Sequence, residues 1–311
     1  AGDDEEIWHV AHRILLPTMG TSALKQYFPK MVEIADVLLA QLGRLRAGEP
    51  FLATDLMTRM TFETIAYTGF NTRFNCLDTS EGIPFVDAMV EVLRDAMHAP
   101  MSLLPPSLKP LAAHRRERAN GVLASTVDRI IRERKQALER GEAVPNDILQ
   151  TMLTARDRAT GQRLPDENIR HQLITFLIAG HETTSGLLSY VLYLLSRNPQ
   201  VEAKLCAEVD AVLGRDFSYR PSYQDIERLE YVGRVLKEAL RLYPTAPAFN
   251  KVVDQDTVIA GQYPVSKGQR VVTLLTALHR HPQYWGSDAE RFDPDRFLPD
   301  AVAARHPNAY H

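Results

Sequence analysis

The segment LITFLIAGHETTSGLLS, residues 173–189, decides the fold because it is apolar on nearly every side. It lies within a longer stretch that follows Asp166 and Glu167, two acidic residues of the kind that favour a helix start. The stretch continues to Pro199, where a helix cannot easily go on. A helix that is hydrophobic all round is normally buried. The sequence therefore predicts one long central helix that crosses the core of a mainly α-helical protein.

The middle of this helix carries polar residues, which are costly there unless they serve a ligand or a hydrogen bond. Ala179 and Gly180 come four and three residues before Thr183, so all three are expected to share one face. Small residues at 179 and 180 would let a flat ligand approach, and the Thr183 hydroxyl can donate to a ligand atom. Glu182 lies off that face, where it could pass protons from solvent. The alternative is a kinked structural helix whose hydroxyls bond to its own carbonyls.

Composition sets the class of protein. The 311 residues include 36 Lys and Arg against 39 Asp and Glu, a net charge of −3, with 45% hydrophobic residues. These values are typical of a globular protein, exclude disorder and give no reason to expect a nucleic-acid partner. Two cysteines, Cys76 and Cys206, favour a reducing, cytoplasmic location. No stretch approaches the roughly 20 apolar residues of a membrane span, so no membrane anchor is expected in this chain.

The last third of the chain changes character. Short β-branched or aromatic runs at Phe249–Val253, Thr257–Ala260 and Arg270–Thr273 predict a small sheet. Gly261–Pro264 has the composition of a turn. Because no repeat or linker is visible, residues 1–311 are expected to form a single domain.

Two shorter patterns accompany the central helix. Glu238 and Arg241 are three residues apart on a predicted helix, where carboxylate and guanidinium can meet. The alternative is an exposed ion pair worth only ~0–1 kcal/mol. The loop Phe292–Phe297 contains Arg296 and, taken alone, is only a turn-rich segment.

In this order and at these separations, the three patterns make the chain resemble a cytochrome P450 haem monooxygenase. Phe62–Asn75, Ile169–Ser189 and Tyr231–Ala248 are most similar to the haem domain of the self-sufficient fatty-acid hydroxylases, which are fused to a diflavin reductase. The resemblance implies the cytochrome P450 fold, with a long central helix, a helical bundle and a small sheet. It also implies that this haem domain is incomplete at both ends. The sheet region expected before Trp8 is absent, and so is the Cys loop expected beyond His311.

The resemblance assigns roles to the residues of these patterns. Thr183 would donate a hydrogen bond to the reacting oxygen, and Glu182 would deliver protons. Haem contacts are implied for Trp8, His12, Ala179 and Gly180, with Trp8 and His12 holding a propionate. Glu238, Arg241 and Arg296 would form a buried structural triad.

A substrate pocket is implied as well. Phe85, Met89, Leu93 and Met97 recur at intervals of four on a predicted helix, and plain core is the alternative reading of that stripe. The resemblance places the stripe on the helix that roofs the substrate channel. It adds three residues near Pro244 as pocket lining: Thr245, Ala246 and Ala248.

The haem ligand is the main departure from the family. Cytochromes P450 hold the haem iron by a Cys thiolate in a Phe-x-x-Gly-x-Arg-x-Cys loop, and this sequence has no such loop. Cys76 and Cys206 lack the glycines and basic neighbour of that loop and are interpreted as structural thiols. No metal ligand is therefore expected in this chain. The Cys ligand is expected beyond His311, and the chain as given is expected to be inactive without it.

The expected reaction inserts one atom of O2 into a C–H bond, with medium- or long-chain fatty acids as substrates. Haem b is the expected cofactor. Electrons would come from NADPH through the FAD and FMN of a fused or separate reductase. One alternative is a catalytically inert P450-like fragment or degenerate copy with a binding role. Another is a peroxygenase that uses H2O2, which Thr183 and Glu182 disfavour.

Overall fold

The computed structural model describes residues 2–79, 81–98, 109–216 and 218–311, and the side chains of residues 2–5, 95–98 and 109 lie outside that description. The chain forms two compact units, Ala1–Glu182 and Thr183–His311. Each unit is described by itself.

The first unit is built from helices. They are α1 (Gly2–Leu15), α2 (Thr21–Leu42), α3 (Ala53–Phe70), α4 (Pro84–His98), α5 (Lys109–Glu139), α6 (Ile148–Thr154) and the first half of α7 (Asp166–Arg197). The core contains Phe62 of α3, Val127 of α5 and Leu149 of α6, all fully buried.

The central helix, α7, spans 32 residues, as its sequence predicts. Ile169, Leu173, Leu177 and His181 recur every four residues and are buried. The expectation that the helix is buried on all sides is wrong for one face, however. That face is exposed at Thr175, Ala179 and Thr183, so α7 presents a strip of small and polar residues beside its buried stripe. Glu182 and Thr184 are also exposed but point to either side of this strip.

The second unit combines short helices with strands. Its helices after α7 are α8 (Pro199–Leu213), α9 (Tyr223–Glu227), α10 (Glu230–Leu242), α11 (Leu275–Leu278), α12 (Pro282–Trp285) and α13 (Pro299–Ala303). A capping box starts α9, in which the Ser222 hydroxyl accepts from the Asp225 N–H and the Asp225 carboxylate accepts from the Ser222 N–H. The core of this unit centres on Val235 and Ala239 of α10.

The strands form two antiparallel ladders. β1 (Ala248–Val252) pairs with β4 (Arg270–Leu274), and β2 (Thr257–Ile259) pairs with β3 (Tyr263–Val265). The mainly α fold with a small sheet is thus confirmed. The prediction that Tyr263 and Pro264 belong to a turn is wrong, since both lie in β3. The turn is made by Ala260, Gly261 and Gln262, the first two with positive φ. A two-stranded ladder tolerates Pro264 because each strand is an edge.

Across the described residues, no helix has both the length and the apolar content required to cross a bilayer.

Candidate functional site

The exposed side of α1 carries Trp8 and His12. Trp8 is 56% exposed, and its ring stacks on His12 with centroids 5.0 Å apart. Both rings line a groove of about 470 Å³ within the first unit. The opposite wall comes from α7 and includes Thr175 and Phe176. The structure therefore brings Trp8 and His12 together at an open, largely apolar groove.

The small residues of α7 divide between two faces. Ala179 is exposed and lies one turn beyond Thr175 and Phe176. Gly180 instead packs against α3, where an added Cβ would lie 2.8 Å from Cγ1 of Ile65. The sequence predicts one shared face for Ala179, Gly180 and Thr183, but in the structure Gly180 faces α3 while the other two are exposed. Packing against Ile65 accounts for the glycine at this position, and Ala179 alone leaves space on the exposed face.

Replacing Gly180 with alanine should destabilise the first unit by about 1–3 kcal/mol, because overpacking forces α7 or Ile65 to move. Gly121→Ala is the matched control. Gly121 lies in α5 with no atom within 4 Å of an added Cβ, and helical Gly→Ala changes stabilise by up to about 1 kcal/mol. Denaturant unfolding of both variants is the measurement. Equal free energies of unfolding in the two variants would mean that Ile65 can move aside without destabilising the unit.

His181 is a residue to which the sequence assigns no role, although it lies within the central polar run. It is buried, contacts Phe62 edge-on at 5.5 Å and bonds through Nδ1 to the Leu177 carbonyl. Its own carbonyl accepts a hydrogen bond of 3.0 Å from Thr61 of α3. Burial lowers the pKa of His181, so the ring is neutral near pH 7. Its place on the buried stripe, at the same spacing as Leu173 and Leu177, is the signal that identifies it as an anchor between α7 and α3.

Thr183 lies on the exposed strip of α7 and opens the second unit, and Glu182 is exposed beside that strip. Gly186, three residues further on, packs near Thr245, whose Cγ2 would lie 3.3 Å from a Cβ at that glycine. Tyr190 of α7 stacks on Tyr243 at 4.3 Å. These contacts of the second unit hold the segment after α10 against α7.

The residues expected in the substrate pocket have different surroundings. Phe85 and Met89 are buried in the hydrophobic core of the first unit, and Leu93 packs against it, which favours the alternative of plain core for these three. The side chain of Met97 lies outside the described residues. In the second unit, Thr245 is half-buried, whereas Ala246 and Ala248 are exposed.

Glu238 and Arg241 form a buried ion pair, as their three-residue spacing predicts. Arg241 Nε lies 2.6 Å from Glu238 Oε2, and Arg241 Nη2 lies 2.8 Å from Oε1, with both side chains 0% exposed. The same guanidinium donates to the carbonyls of His279 at 2.8 Å and Ala289 at 2.7 Å. Burial raises the pKa of Glu238, and the hydrogen bonds from Arg241 oppose that rise. The exposed-pair alternative does not apply to this pair.

Arg296 joins the pair at longer range. Its Nε lies 3.6 Å from Glu238 Oε1, while its Nη1 donates to the Trp285 carbonyl at 2.8 Å and its Nη2 to Asp288 Oδ1 at 2.8 Å. The structure thus brings all three triad residues together within the second unit. Arg241 is the main cation, and Arg296 ties the group to the segment around Trp285.

The two cysteines lie in unlike surroundings. Cys76 is buried, and this burial raises the pKa of its thiol to about 12. Cys206 is exposed on α8, so its interpretation as a thiol with a structural role has no support from packing. Among the residues that the structure describes, no three His, Cys, Asp or Glu side chains cluster as a metal site requires.

We expect that Cys76→Ala and Cys206→Ser, made singly in the full-length protein, leave the absorption spectrum of the reduced, CO-bound haem unchanged. A thiol with a pKa near 12 is a poor source of thiolate, and Cys206 is exposed on the surface of α8. Loss of a thiolate-type band in either variant would make that cysteine the ligand.

Comparison with known protein families identifies the chain. The cytochrome P450 family matches residues 2–311. The chain belongs to the cytochrome P450 family. The resemblance stated from the sequence is confirmed, and it extends through both compact units of this P450 chain.

Several relatives are P450–reductase fusions by name. The bifunctional cytochrome P450/NADPH–P450 reductase 2 of Bacillus subtilis is 45% identical over 303 residues, which is 97% of this chain and 28% of the relative. The corresponding Bacillus cereus protein is 43% identical over 94% of this chain and 27% of its own length. The self-sufficient cytochrome P450 monooxygenase CYP505U2 of Exserohilum turcicum is 36% identical over 96% of this chain and 27% of its own length. The P450 chain therefore spans little more than a quarter of these relatives.

The family implies a haem, and the groove on α1 fits one. A haem presents a flat apolar ring edged by carboxylates. Trp8 and Phe176 supply apolar surface, and exposed Ala179 adds no bulk on the same face of α7. The Trp8 indole N–H and the His12 imidazole are donors suited to a carboxylate. The donor set and the apolar lining of the groove both suit the group.

Proposed function

We propose that the full-length protein is a haem-dependent monooxygenase that hydroxylates medium- or long-chain fatty acids. The observation that supports this most strongly is the groove on α1. It combines an exposed Trp8, stacked on His12, with a wall from Thr175 and Phe176 of α7. A concave, mostly apolar groove with a few polar groups is the usual form of a site for a large apolar ligand.

The haem, when bound, supplies the activation of O2 and the oxidation of the C–H bond. The residues of this chain bind and orient it. Trp8 and His12 hold its carboxylates, and Ala179 leaves room for the ring beside α7. The structural role of Glu238, Arg241 and Arg296 is to fix the second unit, in which their charges are buried.

Proton delivery falls to α7. The Thr183 hydroxyl can hold a proton at its Oγ1 for the reacting oxygen, and Glu182 next to it is exposed and can exchange protons with solvent. A positioned donor is typically worth 10²–10⁴-fold in a proton-transfer step. Gly180 has no part in this step, because it packs against Ile65.

Electrons are proposed to come from NADPH through FAD and FMN of a diflavin reductase, fused or separate. Three of the relatives are named as P450–reductase fusions or self-sufficient enzymes. We also infer that residues 1–311 belong to one haem domain and that the protein works in the cytoplasm, as two unpaired cysteines favour.

The substrate class rests on small residues near the exposed strip of α7. Thr245 packs beside Gly186, and Ala246 and Ala248 are exposed and short. Short side chains at these positions would leave space for a narrow alkyl chain. Phe85 and Met89 belong to the core of the first unit, so the proposal for the substrate does not depend on them.

A substrate panel tests the substrate class. The full-length protein is given NADPH, O2 and, in turn, fatty acids of increasing length, the matching alkanes and a bulky sterol. Hydroxylated products are identified by mass spectrometry. We expect turnover with the fatty acids and none with the sterol. Preferential sterol oxidation would contradict the proposed fatty-acid substrate, and the absence of any oxidised product would contradict monooxygenase activity.

A further inference from the structure

Arg13, the residue after His12 on α1, forms a forked ion pair with Asp157. Its Nε and Nη2 each lie 2.8 Å from one oxygen of the carboxylate. A bidentate pair fixes the plane of the guanidinium as well as its distance. The pair therefore ties the carboxyl end of α1 to the loop after α6.

The Asp157 carboxylate is itself held firmly. It is buried and accepts from the Thr160 hydroxyl at 2.7 Å and the Thr160 N–H at 3.1 Å. The Asp157 N–H donates to the Gln162 carbonyl, and the Asp157 carbonyl accepts from the Gly161 N–H, both at 2.8 Å. Hydrogen bonds from Arg13 and Thr160 hold the pKa of this carboxyl well below its usual range. Arg13 thus pairs with an ionised carboxylate whose orientation is fixed by its other hydrogen bonds.

The opposite side of α1 is held by apolar packing. Val10, Ala11, Ile14 and Leu15 are buried in the core of the first unit. Such contacts are non-directional and tolerate a small rotation of the helix better than a forked hydrogen bond does. Because Trp8 and His12 share one face, any rotation of α1 moves both rings together relative to α7.

We propose that Arg13 and Asp157 are positioning residues that set the rotation of α1 and so aim Trp8 and His12 at the haem carboxylates. This inference rests on the proposed function, since it requires haem in the groove. The groove is lined by Trp8 and His12, so the ion pair acts through them.

Haem affinity separates this role from plain stabilisation. Haemin is titrated into the apo form of the full-length protein, and binding is followed by the Soret band. The variants are Asp157→Asn, which keeps the size of the side chain, and Arg13→Lys, which keeps the charge but cannot form the fork. Both should bind haem about 10-fold more weakly, the low end of the effect seen when groups that orient metal ligands are lost. Thr160→Val removes one hydrogen bond to Asp157 but leaves the pair intact, so it should weaken haem binding less than Asp157→Asn does. It replaces Asp157→Asn if that variant does not fold.

The matched control is Glu33→Gln. It removes a 2.8 Å ion pair with Arg73 in the same unit, and its partners belong to neither α1 nor α7. The melting temperature of each apo-protein is measured beside its haem affinity. Glu33→Gln should keep wild-type haem affinity. Wild-type affinity in Asp157→Asn and Arg13→Lys would overturn the positioning role, whereas a wild-type protein that does not bind haem would overturn the proposed function instead.

Discussion

Replacing Arg241 with alanine should leave the second unit unfolded, or lower its melting temperature by roughly 10–15 °C, before any effect on catalysis can be measured. The Glu238 carboxylate is 0% exposed and would lose both hydrogen bonds from Arg241. Breaking a buried ion pair by removing one partner typically costs about 3–5 kcal/mol. The carbonyls of His279 and Ala289 would also lose their donor. Thermal unfolding followed by circular dichroism is the measurement.

Arg234→Ala is the control on the same helix. Arg234 lies two turns before Arg241 and pairs with Asp295 at 2.7 Å, but its partner is 41% exposed. Loss of such a pair costs about 0–1 kcal/mol. If the melting temperatures of Arg241→Ala and Arg234→Ala were equal and close to that of the wild type, the pair of Glu238 and Arg241 would not be the buried centre of this unit.

Thr183→Val should uncouple the reaction of the full-length protein. The two side chains are similar in size, and position 183 is exposed, so the fold and substrate binding should persist. The variant lacks the hydroxyl that we propose holds a proton for the reacting oxygen. We therefore expect NADPH consumption to continue while hydroxylated product falls by roughly 10²-fold or more and H2O2 is released.

Thr184→Val is the matched comparison. Thr184 is also exposed but points about 100° further around α7. It should retain nearly all of its coupling, measured as product formed per NADPH consumed. Equal coupling in the two variants would remove Thr183 from the proton path.

Features encoded by short spacings could be predicted from the sequence. The buried stripe of α7, the pair formed by Glu238 and Arg241 and the strands β1, β2 and β4 all follow from local periodicity or residue type. The contact of Arg296 with Glu238 is different, since no spacing indicates it. It was expected only because the chain resembles a family in which the three residues meet.

Features that depend on distant partners could not be predicted. Adjacent small residues, Ala179 and Gly180, look alike in the sequence, and only the position of Ile65 distinguishes their faces. The stripe that begins with Phe85 shows that one helical face is covered but not what covers it. Arg13 and Asp157 are 144 residues apart, so no local pattern joins them.

The source of the oxygen atom in the product tests the central claim most directly. The full-length protein is supplied with NADPH, oxygen-18 gas and a fatty acid that it binds. The mass of the product is then measured by mass spectrometry. A haem monooxygenase should place one oxygen-18 atom in the hydroxyl group of each product molecule and the other in water. Unlabelled product, or product formed only when H2O2 replaces NADPH and O2, would contradict the proposed function.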